Sequence, residues 1–334
     1  MTQTNPALEA AIREAPLDAA PYAVYADWLE AQGSPAGEWS ALERTERDPD
    51  RRAVLAQQLG LPPPELATWG TRHGFFSWLR LENARDWTDA LFDPVELATQ
   101  LFKSPLAAGL EMLRIGMLRW DHNHTDVPAV LDVAGQYGWA TALDLLHLGD
   151  IDSHIDMAHH VIGEVGPVIS RAFPRLRELH LKSGEQTWRG GGETFGVAGL
   201  ALPALETLVI ETCAMTSARL ADLFAGELPR VRELELWFGS RDYDSDATVA
   251  DLAPLLTGDR FAAVTDLGLR NHELGSELIE VLARSPIAPR LRSLDLSMST
   301  LDDVDARALA AAAARFPMLE TLDVDDNFLT SDGL

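Results

Sequence analysis

LETLDVDDNFLTSDGL, residues 319–334, sets apolar residues at its first, fourth and sixth positions and an asparagine, Asn327, at its ninth. Side chains alternate along a strand, so Leu322 and Val324 point to one side while Thr321, Asp323 and Asp325 point to the other. The same pattern, with any apolar residue at positions one, four and six, recurs upstream as Leu176-Leu179-Leu181, Leu205-Leu208-Ile210, Val231-Leu234-Leu236, Val264-Leu267-Leu269 and Leu291-Leu294-Leu296. Two weaker copies precede these, Leu110-Leu113-Ile115 and Ala140-Leu143-Leu145. First positions step by 30, 36, 29, 26, 33, 27 and 28 residues. A period of this length marks one supersecondary unit used many times over.

A second tag holds the register. An apolar residue followed by proline stands just before the first position at Phe173-Pro174, Leu202-Pro203, Leu228-Pro229, Ala288-Pro289 and Phe316-Pro317. Proline there ends the preceding helix and pre-sets an extended entry into the strand. Between strands the period changes to that of a helix. SELIEVLARSP (276–286) puts Leu278, Ile279 and Leu282 on one face, with Ser276 as its expected cap. DVDARALAAAAARFP (303–317) begins with Asp305 in its first turn and runs through alanines, the best helix formers. Each unit therefore reads as strand, turn, helix and return. No such unit buries its apolar face alone, and stacking does that work.

Asn327 at position nine, Cys213 at the same position of its own unit, and the long steps together resemble the leucine-rich repeats of the ribonuclease-inhibitor type. The resemblance covers about Leu110 to Leu334. It departs from the pattern at Gly184, Gly239, His272 and Ser299, which take position nine elsewhere. It implies an α/β fold: a leucine-rich-repeat solenoid with a curved parallel sheet inside and helices outside, about eight repeats over 105–334. A side chain at position nine is expected to bond backbone groups of the turn and tie one coil to the next.

Residues 1–60 read differently, as a small all-α N-terminal domain. NPALEAAIREAP is a short helix with Asn5 as cap and Pro6 at its first position. DAAPYAVYADWLEAQG is a second, opened by Asp18 and closed by Gly33, with Tyr22, Tyr25, Trp28 and Leu29 on one face. SPAGEWSALERTERD continues as a third. The stretch from Leu8 to Glu43, with YADWLE as its most specific run, resembles the bacterial repeat-companion domain, a short helical domain found ahead of repeat arrays. That likeness implies architecture and a bacterial origin, not an activity. Residues 61–104 read as a linker and N-terminal cap of the solenoid: LPPPE is a stiff break, and HGFFSWLRL (73–81) alternates like a strand. The sequence stops at Gly333-Leu334, where a helix should begin, which fits either an open last coil or a longer parent.

Charge narrows the function classes. Lys and Arg number 27 against 52 Asp and Glu, a net −25. Phosphate backbones and anionic membranes require clustered cations, so neither nucleic acid nor membrane is an expected partner. A partner with a basic surface is. The single cysteine, Cys213, excludes an internal disulfide, and the acidic N-terminus has no basic-then-apolar leader, so the expected setting is the cytoplasm.

Chemistry-bearing clusters are few. Asp121, His122, His124 and Asp126 form one group, and Asp152, His154, Asp156, His159 and His160 form another. Each could hold zinc if neighbouring coils brought them together, but neither has a specific ligand spacing, and polar turns explain them equally. RGGGE (189–193) lacks the Lys of a phosphate loop and reads as an inserted loop. Neither an enzyme nor a cofactor is expected; a metal-dependent enzyme using the His-Asp clusters and an inhibitor of a specific enzyme are the alternatives.

The face opposite the buried leucines carries the third, fifth and seventh positions of each copy. From Glu211 onward these include Glu211, Glu233, Glu235, Asp266, Asp295, Asp323 and Asp325 against one cation, Arg270, with Trp237 expected to stand exposed among them. This is the expected partner-binding surface: an acidic concave face with an aromatic anchor.

Overall fold

The leucines of the repeated pattern become the buried side of short parallel strands. A computed structural model describes residues 4–83, 93–118, 126–151, 160–184 and 195–331. The fold is mixed α/β and divides into two units, the first built from residues up to Ile151 with Arg171–Leu176, the second from the remainder.

In the first unit four helices, α1 (Pro6–Glu14), α2 (Ala19–Ala31), α3 (Pro35–Thr45) and α4 (Pro49–Gln58), lead into a hairpin of β1 (Ala67–Arg72) and β2 (Phe75–Leu81). The caps are those expected: Asn5 Oδ1 accepts from the Ala7 and Leu8 amides, and Asp18 Oδ1 from that of Ala20. The fourth helix was not expected; its N-cap, Asp48, accepts from the Arg51 amide. The helices belong to the same compact unit as the hairpin and the strands that follow it. Their aromatic face packs directly on the hairpin, with the Tyr25 ring stacked on Phe75 at 5.7 Å and Trp39 edge-on to Phe76 at 6.1 Å. The hairpin turns at His73 (φ 53°) and Gly74 (φ 81°), and a Cβ at Gly74 would lie 2.2 Å from the Ser40 carbonyl oxygen. Only glycine permits both that φ and that approach.

Next come α5 (Pro94–Phe102), β3 (Met112–Ile115), α6 (Asp126–Ala134) and β4 (Leu145–Leu148). Strands β2, β3 and β4 pair in parallel, with Leu79 beside Leu113 and Leu113 beside Leu146. This corrects one register. Leu146 and Leu148 are fully buried and Leu145 is not, so the copy begins at Leu143 rather than Ala140. The steps on either side become 33 and 33 in place of 30 and 36. The open positions there are Leu145 and His147, not Ala142, Asp144 and Leu146.

After α7 (Gly166–Ala172), the second unit contains β5 (Glu178–Ser183), β6 (Thr207–Thr212), α8 (Ser217–Ala225), β7 (Glu233–Trp237), α9 (Ala253–Leu256), β8 (Asp266–Arg270), α10 (Gly275–Arg284), β9 (Ser293–Asp295), α11 (Asp303–Ala311) and β10 (Thr321–Asp323). Strands β5 to β10 pair in parallel in chain order. Each connection carries the chain back to the start of the next strand, as parallel pairing demands. Leu208, Leu234 and Leu267 stand in register across three strands and are buried, as is Leu294 beside Leu267. Leu278, Ile279 and Leu282 supply the buried side of α10. In the last strand Leu322 is 45% exposed.

Ser276 is not the cap of α10. The N-cap is Leu274, without a side-chain bond, and Ser276 Oγ donates instead to Asp305 Oδ1 in the first turn of α11. Ser217 Oγ makes the same kind of bond to Asp251 Oδ2, at 2.9 Å. Serines at helix starts thus bond an aspartate of the next connection, in α11 for Ser276 and in the short turn ahead of α9 for Ser217.

Position nine does what its side chains allow. Asn327 Nδ2 donates to the Leu296 and Val324 carbonyls at 3.0 and 2.8 Å, and its Oδ1 accepts from the Leu301 amide at 3.0 Å. Ser299 Oγ accepts from the His272 amide at 3.1 Å and donates to the Ser297 carbonyl. His272 Nδ1 accepts from the Leu274 amide at 3.2 Å. Its ring is 1% exposed, edge-on to Phe238, and Nε2 has no hydrogen-bond partner. Burial pushes the imidazole down to about 4, against a smaller upward pull from Asp305. Gly239 holds position nine beside Cys213, and a Cβ there would lie 1.8 Å from the Cys213 carbonyl oxygen.

Candidate partner-binding face

Strand pleating decides which side chains share the open face. In β5 and β6 burial alternates strictly, half-buried then buried, so Glu178, His180 and Lys182 stand beside Thr207, Val209 and Glu211 on one side. Register carries this across the unit: Thr207 neighbours Glu233, Glu233 neighbours Asp266, and Asp266 neighbours Ser293. A second row runs from Val209 through Glu235 and Gly268 to Asp295 and Asp323. Trp237 stands beside Arg270 in a third.

The carboxylates on this face do not share one fate. Glu211 is paired with Lys182 at 2.7 Å. Asp295 Oδ1 accepts from the Ser297 amide at 2.8 Å, and Asp323 Oδ1 from the Asp325 amide at 2.9 Å, so both turn the chain out of its strand. Asp325 is exposed. Glu233 and Asp266, neighbours in register, meet only hydroxyls: Thr207 Oγ1 donates to Glu233 at 3.2 Å, and Thr265 Oγ1 to Asp266 at 2.7 Å. Among the described residues neither has a basic side chain at ion-pair distance.

Trp237 is half-buried rather than exposed. The Arg270 guanidinium lies over its indole, Cζ 4.4 Å from the ring centroid, and the indole N–H donates to Glu235 Oε1. Arg270 also reaches Glu235 Oε1 at 3.2 Å, Asp295 Oδ2 at 3.3 Å, Ser297 Oγ at 3.1 Å and Met298 Sδ at 3.7 Å. Gly268 makes the crossing possible: a Cβ there would lie 2.9 Å from Glu235 Cγ. Ser297 and Met298 were not among the expected site residues. Two signals were in the sequence: Ser297 holds the seventh position of its copy, on the expected face, and Gly268 lies inside a strand, where a glycine marks a close approach.

The two His-Asp clusters fall mostly outside the described residues. Asp121, His122, His124, Asp152, His154, Asp156 and His159 lie there, as do RGGGE and Gly333-Leu334. Asp126 and His160 are described and buried. Among the described residues no group of three or more His, Cys, Asp or Glu is placed to hold a metal ion, and no helix is long and apolar enough to cross a membrane.

No protein-family model and no curated protein matches the chain. Among solved structures it is similar to the crystal structure of a Bacteroides fragilis protein determined by the Northeast Structural Genomics Consortium, with a TM-score of 0.63 and 22% identity over 71% of this chain. The match spans 65% of that protein's length, and at this identity it shows a shared fold alone.

Proposed function

We propose that the chain is a protein-binding scaffold: a leucine-rich-repeat solenoid of the ribonuclease-inhibitor type, fronted by a repeat-companion segment, that captures a basic partner on an acidic concave face. The observation that carries this reading is the pair Glu233 and Asp266. They occupy adjacent register positions on parallel strands, and among the described residues their side chains meet only hydroxyls. Like charges so placed repel and cost stability. A cationic partner turns that repulsion into attraction and speeds its own capture from a distance. Arrays of this kind present such a face to ligands.

The test compares wild type with a folded Glu233→Ala, Glu235→Ala, Trp237→Ala triple variant as bait in host lysate, each washed at low and at high salt. A basic protein held by wild type at low salt, released by high salt and absent from the variant supports the reading. Equal capture by both baits places binding elsewhere. Capture insensitive to salt removes the electrostatic part.

A further inference from the structure

The charged groups around Trp237 go beyond an acidic surface, because they converge on one chemical group. An aromatic face, two carboxylates, a hydroxyl and a thioether surround the guanidinium of Arg270: Trp237 at 4.4 Å from the ring centroid, Glu235 at 3.2 Å, Asp295 at 3.3 Å, Ser297 Oγ at 3.1 Å and Met298 Sδ at 3.7 Å. A planar cation that stacks on a ring while its edge donates to one carboxylate and a hydroxyl and pairs with a second carboxylate is a guanidinium, not an ammonium, which is compact and more strongly hydrated. The set is held in place from below. Trp237 donates to Glu235, the Ser297 amide donates to Asp295, and Gly268 leaves the gap that Glu235 crosses.

The occupant is only partly enclosed, with 23% of the Arg270 side chain exposed. Beside this set, one register step toward the strand starts, lie Glu233 and Asp266, which have no basic side chain at ion-pair distance among the described residues. Two residues along a strand is about 7 Å, the spacing of alternate side chains in an extended peptide.

We infer that this is an arginine-recognition site held in the unliganded chain by Arg270, and that an arginine side chain of the basic partner takes the place of Arg270 between Trp237, Glu235 and Asp295 while a second basic side chain reaches Glu233 and Asp266. The inference rests on the acidic-face reading above and adds the identity of the side chain recognised. It makes Arg270 an internal competitor that sets the affinity.

The test is calorimetric titration of the full chain at low salt with two acetylated, amidated hexapeptides of equal charge, one alternating glycine with arginine, the other glycine with lysine. Wild type binds both weakly. Arg270→Ala tightens the arginine peptide about tenfold, the scale of a stacked, doubly paired guanidinium, and the lysine peptide by no more than about threefold. Adding Trp237→Leu abolishes the difference. Arg270→Gln, which keeps a hydrogen-bonding side chain beside Asp295, guards against a misfolded Arg270→Ala and shows the same arginine preference. Equal tightening for both peptides overturns the arginine site and leaves the acidic face standing, because charge alone then explains binding. No change for either peptide assigns the Arg270 contacts to structure only. If neither peptide binds wild type or variants, the acidic-face reading fails as well.

Discussion

Arg270 lies over the indole of Trp237 with its Cζ 4.4 Å from the ring centroid, and both share Glu235 as a hydrogen-bond partner. The contact joins adjacent strands at paired positions. A double-mutant cycle of Trp237→Leu and Arg270→Gln, followed by urea unfolding, should give a coupling of about 0.5–1 kcal/mol, the range for a partly solvated cation–π pair. A coupling of zero would mean the two side chains part in solution.

The buried leucines carry far more. Leu267 and Leu294 are 2% and 1% exposed and stand in register across β8 and β9. Replacing either with alanine should cost about 2–5 kcal/mol. Leu322 holds the same position in β10 but is 45% exposed, so Leu322→Ala should cost less than about 1 kcal/mol, in proportion to the area it buries. Equal losses at Leu294 and Leu322 would show that something covers Leu322 in solution.

Asn327 tests the tie at position nine. Its amide group donates to two carbonyls and its oxygen accepts one amide. Asn327→Ala should cost about 1–3 kcal/mol by leaving those backbone groups unmet. Asn327→Asp should be worse at neutral pH, since a carboxylate oxygen would face the Leu296 and Val324 carbonyls. Hydrogen exchange at the Leu301 amide should quicken in Asn327→Ala, which removes its acceptor.

His272 should make stability fall in acid. Its imidazole is buried and held at about 4, below the ordinary 6.5. Above 6.5 both folded and unfolded chains carry it neutral and nothing is lost. As pH falls from 6.5 toward 4 the unfolded chain takes up the proton and the folded chain does not, so folding weakens, by up to about 3 kcal/mol at this site. Urea midpoints from pH 7.5 to 4.5 should therefore drop more steeply for wild type than for His272→Asn. Parallel slopes would mean that the ring reaches water or a partner for Nε2.

Phe75 tests whether the N-terminal helices stand alone. It is fully buried and contacts both Tyr22 and Tyr25. Phe75→Ala should cost about 3–5 kcal/mol. Loss of helical circular dichroism and of β2 packing in one transition would show that helices and hairpin unfold together. Two separate transitions would make the helices an independent domain.

Local pattern settled what local chemistry controls. The spacing of Leu179 and Leu181, Leu208 and Ile210, or Leu234 and Leu236 announces a strand with one buried side, because alternation follows from the covalent geometry of the backbone. Asn5 and Asp18 announce helix starts, because an N-cap acts within its own turn. Where two readings fit locally, only pairing decides. Ala140-Leu143-Leu145 and Leu143-Leu146-Leu148 satisfy the same pattern, and the neighbours in β3 select the second by placing Leu113 beside Leu146. The environment of a side chain is likewise non-local. Trp237 looked exposed because the residue that covers it lies 33 positions on, and Asp295 read as one carboxylate of an acidic face although it pairs with Arg270 and accepts from the Ser297 amide. The aromatic face of the first helices was legible, but its partner was not, since Phe75 and Phe76 belong to a hairpin some 50 residues later. Sequence alone determined that strands with one buried side recur and that Asn5 and Asp18 open helices; tertiary structure decided the register of β4, the partner of Ser276 and which charges meet, because these depend on pairing between residues distant in the chain.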